Sequence, residues 1–522
     1  MSIPPINRLI LPSNRLGYVP WWVKGLAFAV SILSLLPLIF IVYISTQIGW
    51  HDSTALIFRS RVVEFLLNSI LLIALTVPIC IVLAIALAWL TERCNLVLRR
   101  WWSLLFSAPL AIPAFIQSYA WISLIPSLHG LSAALLFSVI SYYPFLYLPL
   151  VATFRRLDPA LEDAAATLGL PPHIVFRRVI LPQLYIAIRD GALMVSVHLL
   201  SEYGLFEMIR YDTLTTAIMD RFQYSTSANI LAIVLALCCL GLLCSEALLG
   251  RKRYARRYAP VGSGSPRIAL TLKLSWFYQN LGQLLASIIV ILSLGVPLVM
   301  ISKWLFIGDL NVWYFPELWK ALQQTLILSI TSAFLTCFAA IPIAWLSIRR
   351  PGRLQLFLEA CNYIASSLPS IVVSLALVTV TIRVVRPLYQ TMFTVLIAYL
   401  IMFLSRALVG LRSGIAQARV ELEHAAYSLG LSPLKTLYKI TLRIAAPSMM
   451  AAATLVFFAT LSELTATLLL SPNGTQTLAT RFWALTSEID YVAAAPYALI
   501  MITISLPLTV WLHYQSRRLA GR

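Results

Sequence analysis

The chain has 522 residues, of which 60% are hydrophobic and 11% are charged, and its mean hydropathy is +0.86. A water-soluble core cannot absorb that much apolar surface, so the composition excludes a soluble globular protein and indicates a polytopic membrane protein. The net charge of +19 does not indicate nucleic-acid binding, because no aromatic-rich basic surface or nucleic-acid motif accompanies it.

The chain contains about twelve apolar runs that are long enough to cross a membrane, since a hydrocarbon core of about 30 Å needs about 20 apolar residues per helix. The approximate centres of these runs, in chain order, are Leu35, Pro78, Ile112, Ser141, Val195, Leu237, Val290, Leu335, Val373, Ile397, Leu455 and Ile502. The first run is too long for a signal peptide and lacks an AxA-like cleavage site, which favours a retained span. The sequence therefore predicts an all-α polytopic membrane protein with about twelve transmembrane helices.

The distribution of Lys and Arg predicts the orientation of these spans. The segment before the first span carries Arg8, Arg15 and Lys24 without an acidic residue, and the segment Arg251–Arg267 is the most basic in the chain. With twelve spans these segments fall on one side, which the positive-inside rule makes the cytoplasmic side. Both termini are then cytoplasmic. Four arginines do not fit this rule: Arg59, Arg61, Arg383 and Arg386.

Two polar stretches between apolar runs repeat one pattern, and we call them the first and second twin segments. They are LEDAAATLGLPPHIVFRRVILP at Leu161–Pro182 and LEHAAYSLGLSPLKTLYKITLR at Leu422–Arg443. Their matched residues are 261 positions apart, half of 522: Glu162 and Glu423, Ala165 and Ala426, Leu168 and Leu429, Gly169 and Gly430.

The repeat extends to the spans around the twin segments and predicts two similar six-helix units. The first unit covers residues 1–250, a basic cytoplasmic linker covers 251–275, and the second unit covers 276–522. An even number of spans and a cytoplasmic linker make the units parallel repeats about an axis along the membrane normal.

Each twin segment is predicted to form a compact helix pair. In the first twin segment a short helix ends at Gly169, which tolerates the left-handed cap conformation, and a second helix covers His173–Ile180. Glu162 near the helix start is favoured by the helix dipole and could meet an Arg of a partner. Two register-matched copies favour docking to a symmetric partner, and the alternative is an amphipathic loop on the membrane surface.

Two acidic residues occupy matched positions inside apolar runs. Glu202 lies in the fifth span and Glu463 in the eleventh. A carboxylate inside a membrane costs several kcal/mol unless it is paired or hydrated, so both are candidates for lining a translocation path. The alternative is that they sit near the outer mouth or pair with Arg.

The sequence predicts no cofactor or metal site in this chain. No GxxxxGK[ST] motif occurs, which argues against a nucleotide-binding loop. The seven cysteines lie mostly in apolar runs without a CxxC pair, as buried apolar residues do, and the histidines show no metal-ligand spacing.

The twin segments resemble the EAA loop of binding-protein-dependent ABC importer permeases, whose pattern is E-x-x-A-x-x-x-G followed by an ending like I-x-L-P. The matching residues are Glu162, Ala165, Gly169, Leu181 and Pro182 in the first copy and Glu423, Ala426, Gly430 and Leu442 in the second. Two copies in one chain resemble the fused permeases of ferric-iron importers. Further similar segments are SYAWI at Ser118–Ile122, YPFLYL at Tyr143–Leu148, YDTLTTAI at Tyr211–Ile218 and ELTATLLLSPNGTQTLATRFW at Glu463–Trp483.

This resemblance implies the fold of a type I ABC importer permease in the bacterial plasma (inner) membrane. It implies that the two EAA loops couple the chain to two copies of a cytoplasmic ABC ATPase, and that a periplasmic or tethered solute-binding protein delivers the substrate. The ATP is then bound by the partner, and this chain is a transport subunit rather than an enzyme, surrounded by membrane lipid. Ferric iron is the implied substrate, with thiamine, phosphonate or another small solute as alternatives.

Two questions remain open at this point: whether the two loops are equivalent, and whether the chain belongs to another class of transporter. Arg443 stands where Pro182 ends the first EAA loop, so the two ATPase contacts are not expected to be equivalent. A secondary transporter driven by an ion gradient also suits twelve spans in two parallel repeats, although it would not need matched polar loops.

Overall fold

The computed structural model describes residues 21–48, 59–221, 225–257, 274–309 and 312–519, and these are almost entirely helical. The arginines predicted to orient the N-terminus, Arg8 and Arg15, lie outside the described residues, and so do residues 258–273 of the predicted linker.

The described α-helices form two series of ten in the same order. Each helix of the first series is equivalent to the helix of the second series whose number is ten higher, so α1 is equivalent to α11. The first series is α1 (Trp21–Ile48), α2 (Ser60–Glu92), α3 (Arg99–Ser107), α4 (Ala114–Leu124), α5 (Gly130–Arg156), α6 (Pro159–Thr167), α7 (Pro172–Ser201), α8 (Gly204–Met208), α9 (Leu214–Asp220) and α10 (Ser225–Arg257). The second series is α11 (Trp276–Ile307), α12 (Phe315–Arg349), α13 (Arg353–Ser366), α14 (Ser370–Arg383), α15 (Met392–Gln417), α16 (Val420–Ser428), α17 (Leu434–Leu461), α18 (Thr465–Leu470), α19 (Leu478–Ser487) and α20 (Tyr491–Leu519).

The predicted membrane spans are confirmed, but two of them are broken. Within the described residues, 10 helices are long and apolar enough to cross a membrane, and the number rises to 12 if each of two bent pairs is one span. The pairs bend by 94° before Ala114 and by 99° before Ser370. Each bend contains a proline with extended backbone, Pro113 (ψ 144°) and Pro369 (ψ 146°). Proline lacks an N–H donor and disfavours helix in the preceding residue, so the matched prolines bend both repeats alike.

The second helix of each predicted pair does not end within the twin segment. The helix expected over His173–Ile180 instead continues as α7 to Ser201, and α17 behaves in the same way. Each helix passes through one π-helical turn, at Phe176–Ile180 in α7 and at Leu437–Thr441 in α17. Pro182 follows the turn in α7 without ending the helix, and Arg443 follows it in α17, so the turn does not depend on proline.

The contacts divide the chain into two compact units. The smaller comprises Met1–Ile39, Leu328–Ser366 and Val395–Thr460, and the larger comprises Phe40–Ile327, Ser367–Thr394 and Leu461–Arg522. The bounds 1–250, 251–275 and 276–522 remain a prediction, because they divide the chain by its repeat rather than by its packing. In the larger unit, buried tyrosine and phenylalanine side chains of α5 and α8 form much of one apolar core.

Candidate functional site

The short helices of the twin segments, α6 and α16, end in the same way. Gly169 has a φ of +77° and Gly430 a φ of +82°, a conformation that side-chain-bearing residues rarely adopt. The Leu170 N–H donates to the Ala165 carbonyl at 3.3 Å, and the equivalent bond from Leu431 to Ala426 is 3.0 Å. These bonds satisfy the free carbonyls of the helix end. The glycine caps predicted from the sequence are therefore confirmed.

The two faces of each short helix have opposite environments. Ala165 and Ala426 are 6% and 2% exposed, so the small side chains face the protein. Leu168 and Leu429 are 81% and 83% exposed and lie just before the capping glycines. Helical spacing alone predicts that Ala165 and Leu168 share one apolar face, but the structure buries Ala165 and exposes Leu168. Leu168 and Leu429 are therefore the most exposed large apolar side chains of the two twin segments.

Glu162 in the first twin segment pairs with an arginine of its own chain. Its carboxylate lies 2.7 Å from a guanidinium nitrogen of Arg93, the residue after the end of α2. The Arg93 side chain is 4% exposed and the Glu162 side chain 22%. Burial raises the pKa of Glu162, and the charge and hydrogen bond of Arg93 oppose this shift. This pair fastens the start of α6 to the end of α2.

Glu423 in the second twin segment pairs with the equivalent arginine, Arg349, and the pair takes part in more hydrogen bonds. Nη2 of Arg349, at the end of α12, donates to Glu423 Oε1 at 2.7 Å and to the Ala418 carbonyl at 2.8 Å. The hydroxyl of Thr441 also donates to Glu423 Oε1 at 2.7 Å. The Arg349 and Glu423 side chains are 5% and 6% exposed. The second twin segment is thus held by a deeper and better satisfied network.

The sequence did not identify these arginines as partners of the glutamates. Arg93 and Arg349 follow the matched runs Ala88–Leu90 and Ala344–Leu346, so their equivalence was visible in the repeat. The pairing depends on contacts between helices that are far apart in the chain. Glu162 was expected to meet an Arg of a partner, but the structure assigns its carboxylate an Arg of this chain. The part that Glu162 and Glu423 play in ATPase coupling remains a prediction.

Glu202 and Glu463 lie in two matched short non-helical segments, which we call the breaks. The first break is residues 202–203, between α7 and α8, and the second is residues 462–464, between α17 and α18. The Leu205 N–H donates to the Glu202 carboxylate at 3.1 Å, and the Ala466 N–H donates to the Glu463 carboxylate at 3.1 Å. Each glutamate therefore caps the short helix that follows it. Glu202 also accepts a hydrogen bond of 2.6 Å from the Tyr142 hydroxyl.

The two breaks are in contact with each other. A Cβ atom placed on Gly204 would lie 3.0 Å from Cδ2 of Leu464, so the backbone of one break packs against a side chain of the other. The rings of Tyr203 and Trp483 lie 5.4 Å apart, centroid to centroid. Glu202 and Glu463 are each within two positions of this contact. These two candidate path residues therefore lie in one region of the larger unit.

The segments beyond the breaks are tied back in the same way in both repeats. Ser69 Oγ accepts a hydrogen bond of 3.1 Å from the Leu214 N–H, and Thr325 Oγ1 accepts one of 2.8 Å from the Leu478 N–H. A threonine capping box begins both helices, α9 and α19. Ser69 and Thr325 occupy matched positions in the sequence repeat. The same tertiary contact therefore forms in both repeats.

No group of three or more His, Cys, Asp or Glu side chains that could hold a metal ion occurs in the ranges that the structure describes.

Comparison with known proteins gives matches over most of the chain. The sequence matches the family described as "Binding-protein-dependent transport system inner membrane component" over residues 53–258 and again over 335–521, which confirms the predicted repeat. It is 33% identical over 492 residues to the "Fe(3+)-transport system permease protein FbpB 2" of Haemophilus influenzae, covering 93% of this chain and 96% of that protein.

Two further relatives are more distant. The "Putative 2-aminoethylphosphonate transport system permease protein PhnV" of Salmonella typhimurium is 27% identical over 205 residues, covering 39% of this chain and 77% of that protein. The "Ferric transport system permease protein FbpB" of Actinobacillus pleuropneumoniae is 20% identical over 408 residues, covering 74% and 58%.

Proposed function

Because the chain belongs to the family of binding-protein-dependent transport system inner membrane components, we propose that it forms the translocation path of an ATP-driven importer for ferric iron. The observation that carries this proposal is the identity of 33% to a relative named for Fe(3+) transport, over 93% of this chain and 96% of the relative. A match over both repeats favours a fused permease of the same kind over a chance likeness of single spans.

The proposed location is the bacterial inner membrane, with the twin segments and both termini in the cytoplasm. The support is the distribution of Lys and Arg, which is concentrated on one side of the predicted spans. A solute-binding protein then delivers the substrate to the opposite face, where α9 and α19 follow the breaks at Glu202 and Glu463.

The twin segments are the proposed contacts with two copies of an ABC ATPase, and that partner is proposed to bind the ATP. Leu168 and Leu429 are the side chains that enter the ATPase, because they are the exposed apolar tips. Glu162, Ala165 and Gly169, with their matched residues Glu423, Ala426 and Gly430, hold each tip in place. Pro182 lies in the helix that carries the movement of the first tip into the membrane.

The contact between the breaks is the proposed closure of the path. Glu202 and Glu463 flank the contact between Gly204 and Leu464 and present negative charge to a cation that passes between them. ATP-driven movement of the twin segments shifts α7 and α17, at whose ends the breaks lie. Rocking of the halves then opens and closes this contact.

A second substrate class has one observation in its favour. The relative named for 2-aminoethylphosphonate transport is 27% identical over 205 residues, so a phosphonate is the alternative cargo. The lower identity and the coverage of only 39% of this chain make it the weaker candidate. A phosphonate is an anion, and carboxylates at the closure would repel it.

The test of this function is uptake by the purified chain reconstituted with its cognate ABC ATPase and binding protein. We expect ATP-dependent uptake of ferric iron, with no uptake of 2-aminoethylphosphonate or thiamine under the same conditions. Uptake by the chain alone in response to an ion gradient would identify a secondary transporter and overturn the proposal.

The ATPase contact is tested separately by copurification. Leu168→Glu with Leu429→Glu should reduce the copurified ATPase by at least about tenfold, because charges would replace the two apolar side chains that are proposed to enter the ATPase. Val97→Glu is the control, since Val97 is 51% exposed but lies outside the twin segments. Equal ATPase recovery from all three proteins would remove the tips from the interface.

A further inference from the structure

An apolar groove lies beside the second twin segment, within the smaller unit. It is partly open to its surroundings and is bounded by α1, α12 and the start of α17. The residues that line it are Trp22, Val23, Ile341, Pro342, Trp345, Leu434 and Leu437. Every one of these side chains is apolar apart from the indole N–H groups, so the groove suits a hydrocarbon chain.

The first repeat fills the equivalent position with aromatic rings. Trp89, the match of Trp345, packs edge-on against Phe176 at a centroid distance of 5.2 Å and against Phe154 at 6.0 Å. The residue that matches Phe176 is Leu437 and the residue that matches Phe154 is Ile415. Aliphatic side chains replace both rings in the second repeat. Trp345 therefore lacks the two ring contacts that Trp89 makes in the first repeat.

The position of the groove along the helices is that of a membrane interface. Trp22 begins the candidate span Trp22–Ile44, and Leu434 begins the candidate span Leu434–Leu461. Trp345 lies in the last turns of Phe315–Arg349. Tryptophan is enriched at this depth, where an apolar ring and a polar N–H are both accommodated. The neighbouring medium is therefore the region where lipid headgroups meet acyl chains.

Three lysines lie within two positions, along the sequence, of residues that line the groove. Lys24 adjoins Val23, Lys435 adjoins Leu434, and Lys439 is two positions from Leu437; all three are exposed. Exposed lysines next to apolar side chains at a membrane surface attract anionic headgroups. We propose that the groove binds one acyl chain of an anionic phospholipid, with the phosphate held by these lysines. The site is independent of the transported solute.

The test uses the full chain purified in detergent and native mass spectrometry with dioleoyl phosphatidylglycerol as the probe. The wild-type chain should retain one phosphatidylglycerol more tightly than it retains dioleoyl phosphatidylcholine. Leu437→Phe should lose this molecule, because the ring fills the space that Phe176 fills in the first repeat. Lys435→Gln with Lys439→Gln should keep the acyl contact but weaken the preference for phosphatidylglycerol by about fivefold per lysine.

A reciprocal variant keeps the test decisive if Leu437→Phe fails to fold. Phe176→Leu removes the ring beside Trp89 and should allow a second lipid to be retained, with less preference for phosphatidylglycerol because Ile174 stands at the position of Lys435. Unchanged retention in a folded Leu437→Phe chain, or no gain in Phe176→Leu, would overturn the site. Equal retention of the two lipids by the wild-type chain would overturn the anionic headgroup, and a small hydrophobic protein retained instead of lipid would overturn the occupant.

Discussion

Gly204 and Leu464 bring the two repeats into contact beside the matched glutamates. The position of a Cβ atom on Gly204 is 3.0 Å from Cδ2 of Leu464 and 3.0 Å from Cβ of Phe115. These distances are shorter than ordinary van der Waals contacts, so a side chain at residue 204 requires its neighbours to move. Glycine at this position therefore allows the close approach of the two breaks.

Gly204→Ala should weaken this contact. Overpacking of a close-packed site costs about 1–3 kcal/mol, so we expect a lower midpoint of thermal unfolding and slower ferric uptake, with ATPase binding unchanged. Gly241→Ala is the matched control, because no atom lies within 4 Å of its Cβ position. If Gly204→Ala and Gly241→Ala have the same unfolding midpoint and the same rate of ferric uptake, the close approach at Gly204 does not matter for transport.

The buried pair of Arg349 and Glu423 should contribute more to its twin segment than Arg93 and Glu162 do. Removal of one partner from a buried pair costs about 3–5 kcal/mol, and exposure reduces this cost. Arg349→Gln should therefore increase amide hydrogen exchange in α16 by more than Arg93→Gln increases it in α6. Glu423→Gln together with Arg349→Gln should recover part of the loss. Equal exchange in both variants would mean that the two segments are held equally firmly.

The spans and the repeat could be predicted because hydropathy and residue matches are local properties of the sequence. The bends could not be predicted in the same way. Pro78 and Pro144 lie inside the continuous helices α2 and α5, whereas Pro113 and Pro369 mark sharp turns. A proline permits a bend, and packing decides whether the bend forms.

The candidate site shows the same division between local and tertiary information. Gly169 and Gly430 were predictable as helix caps because the cap depends on the backbone of a few residues. The partners of Glu162 and Glu423 were not predictable, since Arg93 and Arg349 come from α2 and α12. The exposure of Leu168, opposite to that of Ala165, likewise depends on how α6 rests on the rest of the chain.

Gly169→Ala and Gly430→Ala should have closely similar effects, unlike the arginine variants. A side-chain-bearing residue in the left-handed conformation costs about 1–2 kcal/mol, and no atom lies within 4 Å of either Cβ position. Each variant should lower copurification with the ATPase by a similar factor. Gly169→Asn and Gly430→Asn are the controls, because Asn tolerates this conformation and should retain more binding. Equal loss with Ala and Asn would show that backbone conformation is not the cause.

Glu202→Gln and Glu463→Gln should separate the structural role of these side chains from their charge. The Gln carbonyl still accepts the hydrogen bond that Leu205 or Ala466 now donates to the carboxylate, so the break keeps its cap. The negative charge is lost, and a cation in the path loses its attraction. Each variant should transport ferric iron with a roughly tenfold lower initial rate, equivalent to about 1.4 kcal/mol, while the complex with the ATPase still assembles.

Tyr142→Phe supplies the control for this last prediction, because it removes the hydrogen bond of 2.6 Å to Glu202 and leaves the charge in place. If charge is what the cation requires, Tyr142→Phe should reduce uptake much less than Glu202→Gln does. Should the double variant Glu202→Gln with Glu463→Gln import ferric iron at the wild-type rate, the glutamates would be caps of α8 and α18 and not part of the path.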